Sequence, residues 1–280
     1  MSYLKLKITI PDEFQEYLIA ELMDLDFYGF EQGENEITAY VEKSRFNDSN
    51  REAIERITGY FEGASFSELE EIEDENWNRK WEETIQPQKI GKFLVCPEWN
   101  IISPEKDQIL LVVEPKMAFG TGYHETTRLM LKAIQNLNFT EKTVLDAGTG
   151  TGILAIAALK IGAKSAVAFD YDPLSVDNAE ENALKNEVDS KIDIRLGGTD
   201  QIDDDENFDI TLANINRNVI IEFFPDFSKI TKSGGHLVLS GLLITDEKKI
   251  LEVIQNYPFS LIEKKTEGEW LMLHLQKELK

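Results

Sequence analysis

Between Tyr3 and Ile10 polar and apolar residues alternate, putting Leu4, Leu6, Ile8 and Ile10 on one side, which predicts a half-buried strand. Pro11 and Asp12 stop it and open a helix over 13–25, where Phe14, Tyr17, Leu18 and Leu22 recur at helical spacing. Two short strands follow at 29–32 and 36–41, then a helix over 50–60 with Ile54 and Ile57 inward, then a strand starting near Ser65. Strand, helix, two strands, helix, strand is the order of a small ferredoxin-like α+β domain. The acidic run 66–75 reads as a solvated face or a surface for a basic partner, and the helix carrying Trp77 and Trp81 reads as a connector over 75–90.

The pattern then changes. Strands at 91–95 and 108–113 are expected to form a hairpin at the entry to a larger domain. From Glu141 onward strands (143–147, 166–169, 192–196, 209–213, 236–240) alternate with helices centred near Ile156, Ala179, Val219 and Ile250. That alternation predicts an α/β domain whose parallel sheet is covered by helices on both faces. A hairpin, 259–265 and 270–275, closes the chain. The expected domains are therefore 1–74 and 91–280, joined by the helix over 75–90.

The densest chemical signal is T143-V-L-D-A-G-T-G-T-G-I-L-A-I-A-A-L159, a strand, a glycine turn and a buried helix. Such a turn lets a ligand approach the backbone, and the new helix offers free N–H groups. Gly148, Gly150 and Gly152 form G-x-G-x-G, whereas a dinucleotide fingerprint wants its third glycine where this chain has Ile153. A nicotinamide dehydrogenase is disfavoured, and S-adenosylmethionine suits the same turn. About 20 residues on, at the end of the next predicted strand, Asp170 is placed to accept hydrogen bonds from both ribose hydroxyls.

Two further stretches carry candidate chemistry. In E114-P-K-M-A-F-G-T-G-Y-H-E-T-T-R128, glycines flank Thr121, so the loop can fold back and present N–H groups and hydroxyls. His124 within it is either a base or a residue that orients the loop. In N207-F-D-I-T-L-A-N-I-N216, Asn214 falls where the fourth parallel strand ends, on the same sheet edge as Asp146 and Asp170. A neutral amide there accepts from a substrate nitrogen without adding charge. Three scattered histidines and one cysteine do not make a zinc site, and neither a G-x-S-x-G elbow nor a phosphate-binding P-loop occurs.

Composition narrows the field further. The chain has 280 residues, with 29 Lys and Arg against 52 Asp and Glu, a net charge of −23. Gripping nucleic acid needs a basic patch, so direct binding to it is not expected. Cys96 as the sole cysteine excludes an intrachain disulfide and points to a reducing, cytoplasmic compartment. No signal peptide is expected, and no apolar run approaches membrane-spanning length.

With those residues in place, the chain resembles the ribosomal protein L11 methyltransferases over essentially its whole length. The resemblance is carried by A118-F-G-T-G-Y-H-E-T-T127, L145-D-A-G-T-G-T-G-I-L154, Asp170-Tyr171-Asp172-Pro173, Ala213-Asn214-Ile215 and the closing Gly268-Glu269-Trp270. It implies a class I methyltransferase: a Rossmann-like, mainly parallel seven-stranded sheet whose closing hairpin adds an antiparallel strand, behind a small substrate-recognition domain. It also implies methylation of the N-terminal α-amine and lysine ε-amines of ribosomal protein L11 with S-adenosylmethionine, releasing S-adenosylhomocysteine, by a monomer. The L-A-N-I-N segment lacks the proline-aromatic pair of the N-P-P-Y amide methyltransferases, which favours an amine acceptor.

The site expected on this reading comprises Asn214, Phe119, Thr121 and His124 at the reacting amine. Thr127, Asp146, Gly148, Gly150, Asp170, Thr199 and Asn214 are expected on the cofactor, with the adenine edge near Gly198 and Thr199, and no metal. Residues 1–90 carry 22 Asp and Glu against 9 Lys and Arg, which suits a basic partner protein. The competing readings are a class I methyltransferase acting on another basic protein or a small amine, and a non-catalytic module that docks on the ribosome.

Attack on the sulfonium methyl needs a neutral nitrogen. At pH 7 deprotonation costs about 4.6 kcal/mol for a lysine ammonium and about 1 kcal/mol for an α-ammonium. Carboxylates beside the nitrogen would raise that cost, so acidic residues are expected away from the reacting centre.

Overall fold

The computed structural model describes residues 2–23, 25–61, 64–67, 69–73, 86–114, 120 and 122–279. The chain divides into two compact units, Met1–Lys80 and Trp81–Lys280.

In the first unit the elements are β1 (Ser2–Thr9), α1 (Gln15–Met23), β2 (Gly29–Gly33), β3 (Glu36–Glu42), α2 (Asp48–Thr58) and β4 (Ser65–Phe66). The antiparallel sheet runs β2-β3-β1-β4, the ferredoxin-like order. Leu6 and Ile8 of β1 and Ile10 beyond it are fully buried against Leu18 and Leu22 of α1 and Ile54 of α2. Each such side chain contributes roughly 1.5–3 kcal/mol. Asn47 starts α2 with a capping box: its oxygen accepts from the N–H groups of Ser49 and Asn50, and Asn50 accepts from its own N–H.

The acidic run holds more structure than a solvated face. Within it β5 (Glu70–Glu73) pairs antiparallel with β1. Its carboxylates are tolerated because Lys5 lies 3.9 Å from Glu70 and Lys43 lies 2.5 Å from Glu71. Trp77 and Trp81 lie outside the described residues. The far end of the expected connector is not helical, since β6 (Gln88–Ile90) forms a strand there.

The second unit begins with a three-stranded sheet of β6, β7 (Phe93–Cys96) and β8 (Ile109–Val112). The hairpin is β6–β7, whereas β7 and β8 run parallel, not as the expected hairpin. The connection 97–108 is long enough to carry the chain back to the start of β7, which is what parallel pairing needs.

The main body then comprises α3 (Glu125–Ile134), β9 (Thr143–Ala147), α4 (Ile153–Lys160), β10 (Ser165–Asp170), α5 (Pro173–Lys185) and β11 (Ile192–Leu196). It continues with β12 (Phe208–Asn214), α6 (Arg217–Ile230), β13 (Thr231–Leu243), α7 (Glu247–Ile254), β14 (Phe259–Glu267) and β15 (Trp270–Lys277). The seven-stranded sheet runs β11-β10-β9-β12-β13-β15-β14, with β15 antiparallel to both neighbours. Helices α3, α4 and α5 pack on one face, with Val144, Leu212 and Val238, and α6 and α7 on the other, with Leu145, Ala213 and Leu239. Strand order reverses between β9 and β12, the position where open α/β sheets bind ligands. No helix among the described residues is long and apolar enough to cross a membrane.

His236 on β13 and His274 on β15 face each other, 3.0 Å from Nδ1 to Nε2. Burial, then the neighbouring His236, pushes His274 down to about 4 from an ordinary 6.5, and burial and Lys142 also lower His236. A buried neutral histidine binds fewer protons than its unfolded counterpart. Its stabilisation is therefore full above pH 6.5 and is lost as pH falls from there toward 4. We expect a loss of up to about 3 kcal/mol over that window, read as a falling urea midpoint. A His236→Leu/His274→Leu variant should give a flatter profile; parallel profiles would remove the pair as the cause.

Candidate active site

Register explains why the polar residues converge. Ala168 of β10 and Leu212 of β12 both pair with Asp146 of β9, so Asp170 and Asn214 each lie one two-residue step further along. With side chains alternating along a strand, Asp146, Asp170 and Asn214 share the α3 and α4 face of the sheet, on either side of the glycine turn.

The turn itself closes on Asp170. Its Oδ2 accepts from the Gly150 N–H at 2.9 Å and its Oδ1 from the Asp172 N–H at 3.0 Å. Each carboxylate oxygen has a second lone pair, so two acceptor positions remain for a diol. Gly148 has φ +68°, and a Cβ there would stand 2.2 Å from Ile215 Cγ2. Only glycine permits both the backbone conformation and that approach. Behind the turn, Asp146 Oδ2 accepts from the Thr149 hydroxyl at 2.8 Å and the Ala155 N–H at 3.2 Å. Burial pushes Asp146 up to about 6, and the charge of Asp170 adds to the shift.

A cleft of about 420 Å³ opens over this turn, within the range of small-molecule sites. Gly148, Gly150, Asp170 and Asn214 line it, with an apolar wall from Ile215, Val219, Tyr171 and Phe223. The Tyr171 and Phe223 rings lie 6.3 Å apart. A second cavity, of about 230 Å³, is lined by His124, Thr126, Asn214, Ile215, Asn216, Gly241 and Trp270. Asn214, Ile215 and Asn216 belong to both. Among the described residues, no carboxylate lines the smaller cavity.

The walls of that cavity are held from two sides. His124 Nδ1 accepts from the Thr126 N–H at 3.3 Å and lies 2.8 Å from the Thr126 hydroxyl, capping α3. An N–H can only donate, so Nδ1 carries the lone pair and the hydrogen of the neutral ring sits on Nε2. His124 thus caps the start of α3 through Nδ1. Its ring meets Trp270 edge-on, with centroids 4.6 Å apart. Beside Trp270, Glu267 accepts from Arg128 at 2.6 Å and Lys132 at 2.8 Å, tying the closing hairpin to α3.

Among the described residues, the buried side-chain polar atoms with no partner are Thr127 Oγ1, Asp146 Oδ1 and Asn214 Oδ1. Buried polar atoms are ordinarily satisfied, so these orphaned oxygens, two on strands of the sheet and one on α3, fit a ligand that brings donors.

The model of the family described as ribosomal protein L11 methyltransferase matches residues 8–278. The chain belongs to the ribosomal protein L11 methyltransferase family. One such methyltransferase, from Chlorobaculum parvum, is 32% identical over 275 residues, covering 96% of this chain and 95% of that protein. Another, from Histophilus somni, is 40% identical over 203 residues, covering 72% and 67%. Among solved structures, a ribosomal protein L11 methylase from Lactobacillus delbrueckii subsp. bulgaricus superposes with a TM-score of 0.64 at 32% identity. It covers 69% of this chain and 100% of that one. As a class I methyltransferase the chain uses S-adenosylmethionine, and the diol acceptor, the glycine turn and the orphaned oxygens fit that molecule.

For this L11 methyltransferase family member the structure brings Gly148, Gly150, Asp170 and Asn214 into one cleft. Thr127 and Asp146 stand behind it as buried oxygens. Thr199, expected at the adenine edge, does not line the cleft, because its hydroxyl donates to Asp226 of α6 at 2.6 Å. Phe119 and Thr121 lie outside the described residues. The sequence reading did not find Phe223, Val219 or Gly241. Phe223 and Val219 recur four apart on α6, a spacing that signals a buried face but not which cavity it meets.

Proposed function

We propose that this chain transfers the methyl group of S-adenosylmethionine to amino groups of ribosomal protein L11, at the N-terminal α-amine and at lysine ε-amines. The observation that carries the reading is Asn214, which stands in the wall between the two cavities with its Oδ1 buried and unpartnered.

Bound in the larger cleft, S-adenosylmethionine supplies an electrophilic methyl on a sulfonium. Asp170 would hold its ribose, while Gly148 and Gly150 admit the methionine portion. Thr127 and Asp146 offer oxygens to the amino-acid end. The smaller cavity would take the acceptor amine, with Trp270 and His124 confining the alkyl chain. There Asn214 Oδ1 accepts from the nitrogen and aims its lone pair across the wall. Among the described residues no carboxylate lines this cavity to favour the ammonium form of the amine. His124, with Nδ1 engaged, leaves water as the proton acceptor. Orientation supplies most of the rate. The acidic composition of residues 1–90 would attract a basic substrate protein.

Incubating the protein with isotopically labelled cofactor and purified L11, then locating the label by mass spectrometry, tests the reading. Label on amine nitrogens is expected. Label on a side-chain amide, or an unlabelled L11, would reject it.

A further inference from the structure

Helix α5 carries asparagines at 178 and 182, and Asn186 caps its C-terminus; the three are four residues apart and almost wholly buried. None of them lines the cofactor cleft. Asn186 accepts from the Val112 N–H at 3.0 Å and donates to the Val112 carbonyl at 2.6 Å, as a neighbouring strand would. Asn178 donates to the Glu114 carbonyl at 3.2 Å. Asn182 accepts from the Glu114 N–H at 2.9 Å and donates to the Thr151 carbonyl at 2.9 Å. A helix interior gains little from asparagine, so Asn178 and Asn182, buried and spent on backbone groups, need a reason.

Thr151 supplies it. The residue sits inside the glycine turn, fully buried, and its hydroxyl donates to the Gly120 carbonyl at 2.7 Å. Gly120 has φ +109°, and a Cβ there would stand 2.8 Å from that hydroxyl oxygen. Thr151 is thus bonded, directly and through Asn182, to Gly120 and to Glu114. Those residues bracket the segment that leads into His124 and Thr126 of the smaller cavity.

We infer that Thr151 and Asn182 are positioning residues that register the acceptor wall on the cofactor turn, so that filling the cleft steadies Gly120 and, beyond it, residues 122–126. The inference rests on the functional reading above for what the two cavities hold. A small misplacement of reacting atoms is costly in rate, and this chain of bonds is what prevents one.

The test is Thr151→Val, which keeps the β-branched shape and deletes the hydroxyl, beside Thr151→Ser, which keeps the hydroxyl. By calorimetry both variants should bind S-adenosylmethionine within about twofold of the parent, since the hydroxyl faces Gly120 and not the cleft. At saturating L11, Thr151→Val should turn over about tenfold more slowly, with Thr151→Ser restoring the rate to within about twofold. Turnover by Thr151→Val at the parent rate would overturn the inference. Hydrogen exchange of the parent supplies a second arm. S-adenosylhomocysteine should slow exchange in the peptide spanning 122–126, and no change there would overturn the coupling even if the valine variant failed to fold. A parent that protects this peptide yet leaves L11 unmethylated would sink the substrate reading and leave the coupling standing.

Discussion

Asn214→Ala should lower the rate of methyl transfer about a hundredfold at saturating cofactor, the size expected when a fixed hydrogen-bond partner of the reacting group is removed. The side chain lies on the strand end between the two cavities, and its Oδ1 has no partner in the folded protein. Alanine removes no internal hydrogen bond of that oxygen, so stability should change little and the loss should appear in single-turnover rates. Asn214→Asp separates hydrogen bonding from charge. A carboxylate at this position stabilises the ammonium form of the acceptor and makes the neutral amine scarcer. The rate of that variant should fall at neutral pH and recover as pH rises, shifting its pH profile upward relative to the parent. Unchanged turnover in Asn214→Ala would remove the residue from the chemistry.

Asp170→Ala should weaken S-adenosylmethionine binding by two orders of magnitude or more. Hydrogen bonds to a charged acceptor are worth roughly 1.5–3 kcal/mol each, and a ribose offers two. The same carboxylate also anchors the N–H groups of Gly150 and Asp172, so its removal loosens the turn as well as the sugar contact. Titrating a 2′-deoxy analogue of the cofactor divides the two effects. The parent should lose affinity for the analogue, whereas Asp170→Ala should bind the two molecules about equally. Tight binding of the intact cofactor by Asp170→Ala would refute the ribose assignment.

Some of this site was legible in advance because its signals are local. Gly148 and Gly150 announce a turn that other residues cannot make, and the apolar stretch after them announces a buried helix. Asp170 and Asn214 could be placed on one sheet edge because each ends a strand in an alternating α/β pattern. Thr199 shows what local signals leave out. A threonine after a strand looks available to a ligand until α6 brings Asp226 to its hydroxyl. The strand at 70–73 was hidden because its carboxylates read as solvent-facing, and only pairing with β1 brings lysines to them. The asparagines of α5 were visible at every fourth position, yet helix spacing does not reveal what a face meets.

Periodicity, glycine placement and charge therefore determined the two domain types, the position of the cofactor turn and the edge of the sheet where chemistry is possible. Those properties depend on backbone preferences and side-chain spacing over a few residues. Tertiary structure alone decided that Nδ1 of His124 is engaged, that Asn214 lines two cavities, and that Asn182 and Thr151 join the glycine turn to Glu114 and Gly120. Each of those depends on a hydrogen-bond partner or its absence, and which groups meet in a folded chain is settled by packing between elements distant in sequence.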